Sequence, residues 1–191
     1  MNRKSRVLTI SLLAVFIIAV VPTTFAAGGY MTVYTYTMDG YGSFLGNLPG
    51  CNSYSDSSVA TWNTQYSGGT YKCRFYVTAK ILCDEEEDDF TSIYFRWCLQ
   101  TSTIFGIPTS FSYKIWAYNY DISDWVSIKN GTGTGYQQGV KYYTTDIDTD
   151  WTTPTSRPEG DCREASLRVY VYNTAGLWVN VDLLNADVYW T

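Results

Sequence analysis

Apolar and polar side chains alternate with a period of two in nearly every readable segment beyond residue 30, and no segment carries a convincing 3.6-residue apolar stripe. A period of two puts neighbouring side chains on opposite faces of an extended chain, so the apolar positions can be buried only as the inner faces of β-strands. Tyr71 to Cys83 shows the pattern best. Tyr71, Cys73, Phe75, Val77, Ala79 and Ile81 fall on one face, and Lys72, Arg74, Tyr76, Thr78 and Lys80 on the other. Phe90 to Gln100 resumes it with Ile93, Phe95, Trp97 and Leu99 inward. If these two strands form a hairpin, Cys73 sits roughly opposite Cys98 but on the other face, so a bridge between them needs a bulge. Tyr30 to Met38 is a Tyr/Thr/Val run suited to a strand and closed by Asp39-Gly40-Tyr41-Gly42. Ser43 to Gly69 reads as a long loop with a short strand or turn around Val59 to Trp62.

The second half gives a hairpin of Phe111 to Tyr120 with Trp125 to Lys129, a turn at Asn130-Gly131, and a short strand from Val140 to Thr145. Thr152 to Gly160 reads as loop. Leu167 to Tyr172 returns through Leu177, Val179, Val181 and Leu183, after which the apolar series slips to Leu184, Ala186, Val188 and Trp190. A slip of one residue would turn the buried face outward, so a bulge or sheet crossing is expected near Leu183. About eight strands joined by long loops, with no helix, predict an all-β chain folded as a two-sheet antiparallel sandwich.

The first 26 residues read as a secretory signal peptide. Arg3, Lys4 and Arg6 precede a 15-residue apolar run from Val7 to Val21, and Thr24-Phe25-Ala26 suits cleavage. The run is shorter than the roughly 20 residues a spanning helix needs, so no membrane insertion is expected after cleavage. Residues 27–191 then form one domain with 10 basic and 18 acidic side chains, a net charge of −8. The absence of His removes Ser-His-Asp and Cys-His catalysis and His-ligated metals. The negative charge argues against nucleic acid as partner. Cys51, Cys73, Cys83, Cys98 and Cys162 show no C-x-x-C spacing, and in an exported chain they predict two disulfides and one odd thiol, with pairing undetermined. Asp84 to Asp89 is an unbroken acidic block that must remain solvated.

Phe111-Ser-Tyr-Lys-Ile-Trp-Ala-Tyr-Asn-Tyr-Asp-Ile-Ser-Asp-Trp125 and Leu167-Arg-Val-Tyr-Val-Tyr-Asn-Thr-Ala-Gly-Leu-Trp-Val-Asn-Val-Asp182 resemble the closing strands of galactose-binding-domain-like jelly rolls, the discoidin and carbohydrate-binding-module type of secreted prokaryotic proteins. The resemblance covers about half of the mature chain. It implies a jelly-roll sandwich, and an Asp before the final strand, here Asp182, as a frequent family feature. Because that fold hosts sugar binding, calcium sites and pure scaffolding, function has to come from particular residues.

Sugar binding needs flat apolar surfaces for the C–H face of a pyranose. Trp62, Trp125 and Trp151 lie in or beside expected loops and are the candidate stacking residues, set against ordinary core packing. Asp146, Asp148 and Asp150 have the spacing of half a calcium loop, but Trp151 stands where a Gly is required and Arg157 where a Glu is, which excludes an EF-hand. By the resemblance, a structural calcium site would draw on Asp39, Asp182 or Asp187. No carboxylate stands in a recognisable catalytic setting, and a non-enzymatic role is expected. The chain therefore reads as an extracellular or cell-surface binding or adhesion module for glycans. The alternative is a structural subunit of a fibre or layer, whose N-terminal strand pairs with a neighbouring copy.

Overall fold

The computed structural model describes residues 27–52, 58–82, 90–101, 103–104, 107–120, 122–144, 162–173 and 178–190. The leader, Cys83, the acidic block at 84–89, the acidic triplet 146–150 and Trp151 lie outside the described residues. The described chain is an all-β sandwich of two antiparallel sheets, as the alternation requires. One sheet runs in the order β12 (Gln137–Thr144), β7 (Phe90–Thr101), β14 (Trp178–Trp190), β4 (Ala60–Asn63) and β3 (Ser43–Gly46), with β1 (Ala27–Tyr30) also against β14. The other runs β11 (Asp124–Gly133), β10 (Phe111–Asn119), β13 (Cys162–Asn173), β6 (Thr70–Leu82) and β2 (Thr32–Tyr41), with β5 (Gln65–Ser67) also on β6. A two-stranded ribbon, β8 (Thr103–Ile104) and β9 (Ile107–Pro108), completes the set. No helix among the described residues is long and apolar enough to cross a membrane.

One core lies between the sheets. Phe75, Val77, Ile115 and Val169 enter it from the second sheet, and Phe95, Leu99, Val181, Leu184 and Val188 from the first. Each such burial is worth about 1.5–3 kcal/mol. Of the inward residues expected in 71–83 and 90–100, Cys73, Phe75, Val77, Ala79, Ile81, Ile93, Phe95, Trp97 and Leu99 face this core, whereas Tyr71 packs on Tyr66 of β5 instead.

The slip at Leu183 is a bulge in the pairing of β14 with β7, between Val181 and Leu183. It lets Val179 and Val181 before it, and Leu184, Ala186 and Val188 after it, reach the same core. Beside the bulge, the free stretch of β14 between β4 and β1 is bridged by a 3-10 turn, η1 (Leu48–Cys51). Asn52 ties this turn across the side of the sandwich. Its Oδ1 accepts from the Val33 N–H at 2.7 Å, and its carbonyl accepts from Asn185 Nδ2 at 3.3 Å.

Several expectations need correction. There are more strands than about eight, because short edge segments such as β3 and β5 carry too little alternation to be read. The run from Tyr30 to Met38 is not one strand: the chain leaves the first sheet at Tyr30 and enters the second at Thr32. Met31 makes the crossing, fully buried, with its N–H donating to the Ala186 carbonyl at 2.8 Å. The N-terminal strand thus completes this chain's own sheet. β6 and β7 are not a hairpin, since they belong to opposite sheets, so Cys73 and Cys98 never face each other across a ladder. Cys51, Cys73 and Cys98 are buried free thiols, which contradicts two disulfides among five cysteines. Burial raises the Cys51 thiol pKa, and that of Cys73 to about 12. These cysteines fill space as small apolar groups. Asn130-Gly131 is no turn either: β11 runs through it, and a β-carbon on Gly131 would stand 2.6 Å from Tyr113 Cζ. That glycine serves close packing.

Gly42 makes the second crossing, from β2 to β3, at φ +87°, and a β-carbon there would run into the Asn63 carbonyl. Gly42→Ala is expected to cost more than about 1 kcal/mol. Urea unfolding of the variant measures it, and an unchanged midpoint would contradict the crossing geometry.

Candidate functional site

The three candidate tryptophans have different fates. Trp62 is fully buried on β4 and stacks on Phe75 across the core, with centroids 3.9 Å apart and planes 5° apart. It is therefore corrected from ligand platform to core residue. Trp151 lies outside the described residues. Trp125 stands on β11 itself, not on a loop, opposite Tyr118, and it points outward from the second sheet.

Around Trp125 the outer face of that sheet is built from alternate positions of four adjacent strands. Cross-strand register sets Tyr76, Arg168, Trp116 and Ser127 in one row, and Arg74, Tyr170, Lys114 and Asn130 in the next. The ring of Trp125 lies 5.7 Å from that of Tyr76 and 5.3 Å from that of Tyr118. Tyr118 continues to Tyr120 at 4.9 Å, and Tyr170 stacks with Tyr172 at 5.1 Å. Tyr41 on β2 approaches Tyr170 at 6.5 Å. Burial first, then neighbouring Tyr41 and Tyr172, raise the Tyr170 pKa against the opposing pull of Arg74, so the phenol is neutral at physiological pH.

Two arginines fix this surface. Arg168 lies over Trp116 at 5.7 Å and Trp125 at 5.5 Å, placing a planar cation between the two indoles. Its Nη2 is paired with Asp39 Oδ2, while Arg74 Nη2 approaches Asp39 Oδ1 at 3.2 Å. Asp39 thus clamps two arginines from adjacent strands, and those arginines pin the aromatic rows. The face is a cluster of aromatic rings, mostly tilted or edge-on to one another, with only Tyr170 and Tyr172 near parallel, and it is bordered by hydrogen-bonding groups.

The carboxylates expected around a calcium ion do not gather. Asp39 lies on the second sheet in its clamp, whereas Asp182 and Asp187 lie on β14 of the first. Asp187 is buried and its Oδ2 is 2.6 Å from Arg96 Nη2. Asp182 is buried beside Cys98, whose thiol is pushed up to about 11, by burial first and by Asp182 second. Among the described residues no three of His, Cys, Asp and Glu stand together as a metal site requires.

Trp116, Tyr76, Tyr118, Tyr170, Tyr172, Arg74 and Arg168 were not among the candidates drawn from the sequence. Their signal was present in the polar half of the alternation: outward positions that ordinarily hold small hydroxyl or charged side chains here hold Trp and Tyr.

No family model matches the chain, and no curated protein matches it in sequence. Solved structures with a similar course of chain include the CBM22-1 xylan-binding domain from Paenibacillus barcinonensis Xyn10C, at 10% identity and TM-score 0.43, covering 88% of this chain and 99% of that one. A carbohydrate-binding module described for specific mannan recognition matches at 9% identity and TM-score 0.35, over 86% and 88% of the two chains. The enzymatically active domain of Bacteriophage CBA120 tailspike protein 4 matches at 10% identity and TM-score 0.35, over 86% of this chain and 19% of that one. This chain therefore spans about a fifth of the tailspike chain.

Proposed function

We propose that the protein is an extracellular, non-catalytic glycan-binding module, and that the outer face of the second sheet is its binding surface. One observation carries the reading: Trp125, Tyr76 and Tyr118 form an outward aromatic cluster, which Arg168 joins to Trp116 and Asp39 anchors. A pyranose ring presents a C–H face to such a surface and its hydroxyls to the polar groups beside it, Ser127 and Asn130 on β11 and Arg168 between the indoles. The carboxylates of this face, Asp39 and Glu164, are already engaged, the first by two arginines and the second by the Tyr34 hydroxyl. Among the described residues, the outward carboxylates on β2 and β13 therefore offer no free pair for acid–base hydrolysis, and the reading is one of stacking and hydrogen bonding. Polymerisation through the N-terminal strand has no comparable observation behind it, since β1 is paired with the chain's own β14.

Trp125→Ala and Trp116→Ala are each expected to weaken polysaccharide binding at least about tenfold. Affinity electrophoresis through gels cast with different polysaccharides measures this, with heat unfolding as control. Unchanged mobility of both variants on every polysaccharide that retards the parent protein would sink the assignment.

A further inference from the structure

We propose that the ligand of this face is an acidic polysaccharide, one bearing carboxylate or sulfate groups along its chain; the inference rests on the reading of the face as a glycan platform. The full chain carries a net charge of −5, yet the sign reverses locally on this surface. Its outward positions on β2, β6, β10 and β13 hold the cations Lys72, Arg74, Lys80, Lys114 and Arg168 against the carboxylates Asp39 and Glu164 alone. Asp39 can neutralise only one of its two arginines.

The cations are placed, not scattered. Tyr170 has Arg74 as its partner on one neighbouring strand and Lys114 on the other, and Tyr172 has Lys72. Strands are about 4.8 Å apart, so a sugar ring stacked on the Tyr170–Tyr172 pair has a cation on either side. Lys72 and Arg74 also lie over the Tyr41 ring, at 5.3 Å and 5.6 Å, which holds their heads at the surface of the platform. Among the described residues neither Lys72 nor Lys114 has a carboxylate within ion-pair distance. The hydroxyls of a neutral sugar are served well by neutral amides, with no charge to desolvate. Ammonium and guanidinium groups gain most from an anion, through charge-assisted hydrogen bonds.

The test is calorimetric titration of the full secreted protein with two matched pairs of probes: polygalacturonate and its fully methyl-esterified form, and dextran sulfate and dextran. The acidic member of at least one pair is expected to bind at least about tenfold more tightly than its neutral partner. That preference should shrink between about 50 and about 300 mM NaCl, as screening shortens the reach of the cations. Which pair responds identifies carboxylate or sulfate as the anion. The double variant Lys72→Gln/Lys114→Gln should lose about tenfold in affinity for the acidic probe, with the unfolding midpoint in place. Equal or tighter binding of the neutral members overturns the acidic ligand and leaves the glycan platform standing. Failure of all four probes, and of xylan, mannan and mixed-linked glucan besides, overturns both. A preference for oligothymidylate over every glycan overturns both as well, because stacking and cations would then serve a nucleic acid strand.

Discussion

Replacing Trp62 with Ala lowers the free energy of unfolding by about 3–5 kcal/mol, a large fraction of the roughly 5–15 kcal/mol that a folded domain ordinarily has. Trp62 comes from β4 of the first sheet and meets Phe75 of β6 in the second, face to face at 3.9 Å, with Phe44 at 5.1 Å on the same cluster. It thus joins the sheets by a single large contact. Truncation removes that contact, and neither sheet can move to fill the gap while β14 holds Val179 and Val181 in place. Trp62→Phe keeps a ring against Phe75 and is expected to cost less than half as much. It also deletes the indole Nε1, which is buried with no hydrogen-bond partner among the described residues. Urea unfolding followed by far-ultraviolet circular dichroism reads both variants. If Trp62→Ala abolished glycan binding but left the midpoint unmoved, the residue would be a platform after all and the sandwich packing described here would be wrong.

Trp62 also shows where the sequence is silent. Trp62 stands between Thr61 and Asn63 and Trp125 between Asp124 and Val126, and nothing local says that one belongs to the core and the other to an outward face. The difference arises from β4 pairing with β14, a contact between residues more than a hundred positions apart. Alternation does specify which side chains of a strand share a face, as Cys73, Phe75, Val77 and Ala79 do, and it located the bulge at Leu183. It does not specify which strands share a sheet. β6 and β7 have equally clear patterns and an intervening acidic segment, and they resemble a hairpin until their placement in opposite sheets is seen. The proposed binding face suffered most from this gap. Arg168 alone is unremarkable, and it becomes the centre of a site only when β10 and β11 bring Trp116 and Trp125 beside it and β2 brings Asp39.

Arg96→Met is expected to destabilise the protein by about 3 kcal/mol near neutral pH, and by progressively less as the pH falls. Asp187 lies on β14 with 1% of its surface exposed, and its Oδ1 has no hydrogen-bond partner among the described residues. Arg96 on β7 is the cation that answers it, at 2.6 Å, and is itself partly in solvent, which places the effect at the low end for a broken buried pair. Tyr30 lies opposite Asp187 on β1, with its ring 5.5 Å from the Arg96 guanidinium, and Tyr94 lies opposite on β7. Neither supplies a positive charge. Burial raises the Asp187 pKa above the ordinary carboxylate value, and Arg96 pulls it partway back. The folded protein therefore holds this proton more tightly than the unfolded chain does. That contribution favours folding at low pH and is lost as the pH climbs from the unfolded carboxylate value through the raised folded one. Without Arg96 the folded pKa rises further, so the loss extends to higher pH and grows. Below the unfolded value Asp187 is protonated in both states, and the variant then loses only the packing of the arginine stem against Tyr30. Urea unfolding at intervals between about pH 4 and about pH 8 should show the two proteins converging at the acidic end. A gap of constant size would mean that the charge of Arg96 does not bear on Asp187 and that the arginine acts through packing alone.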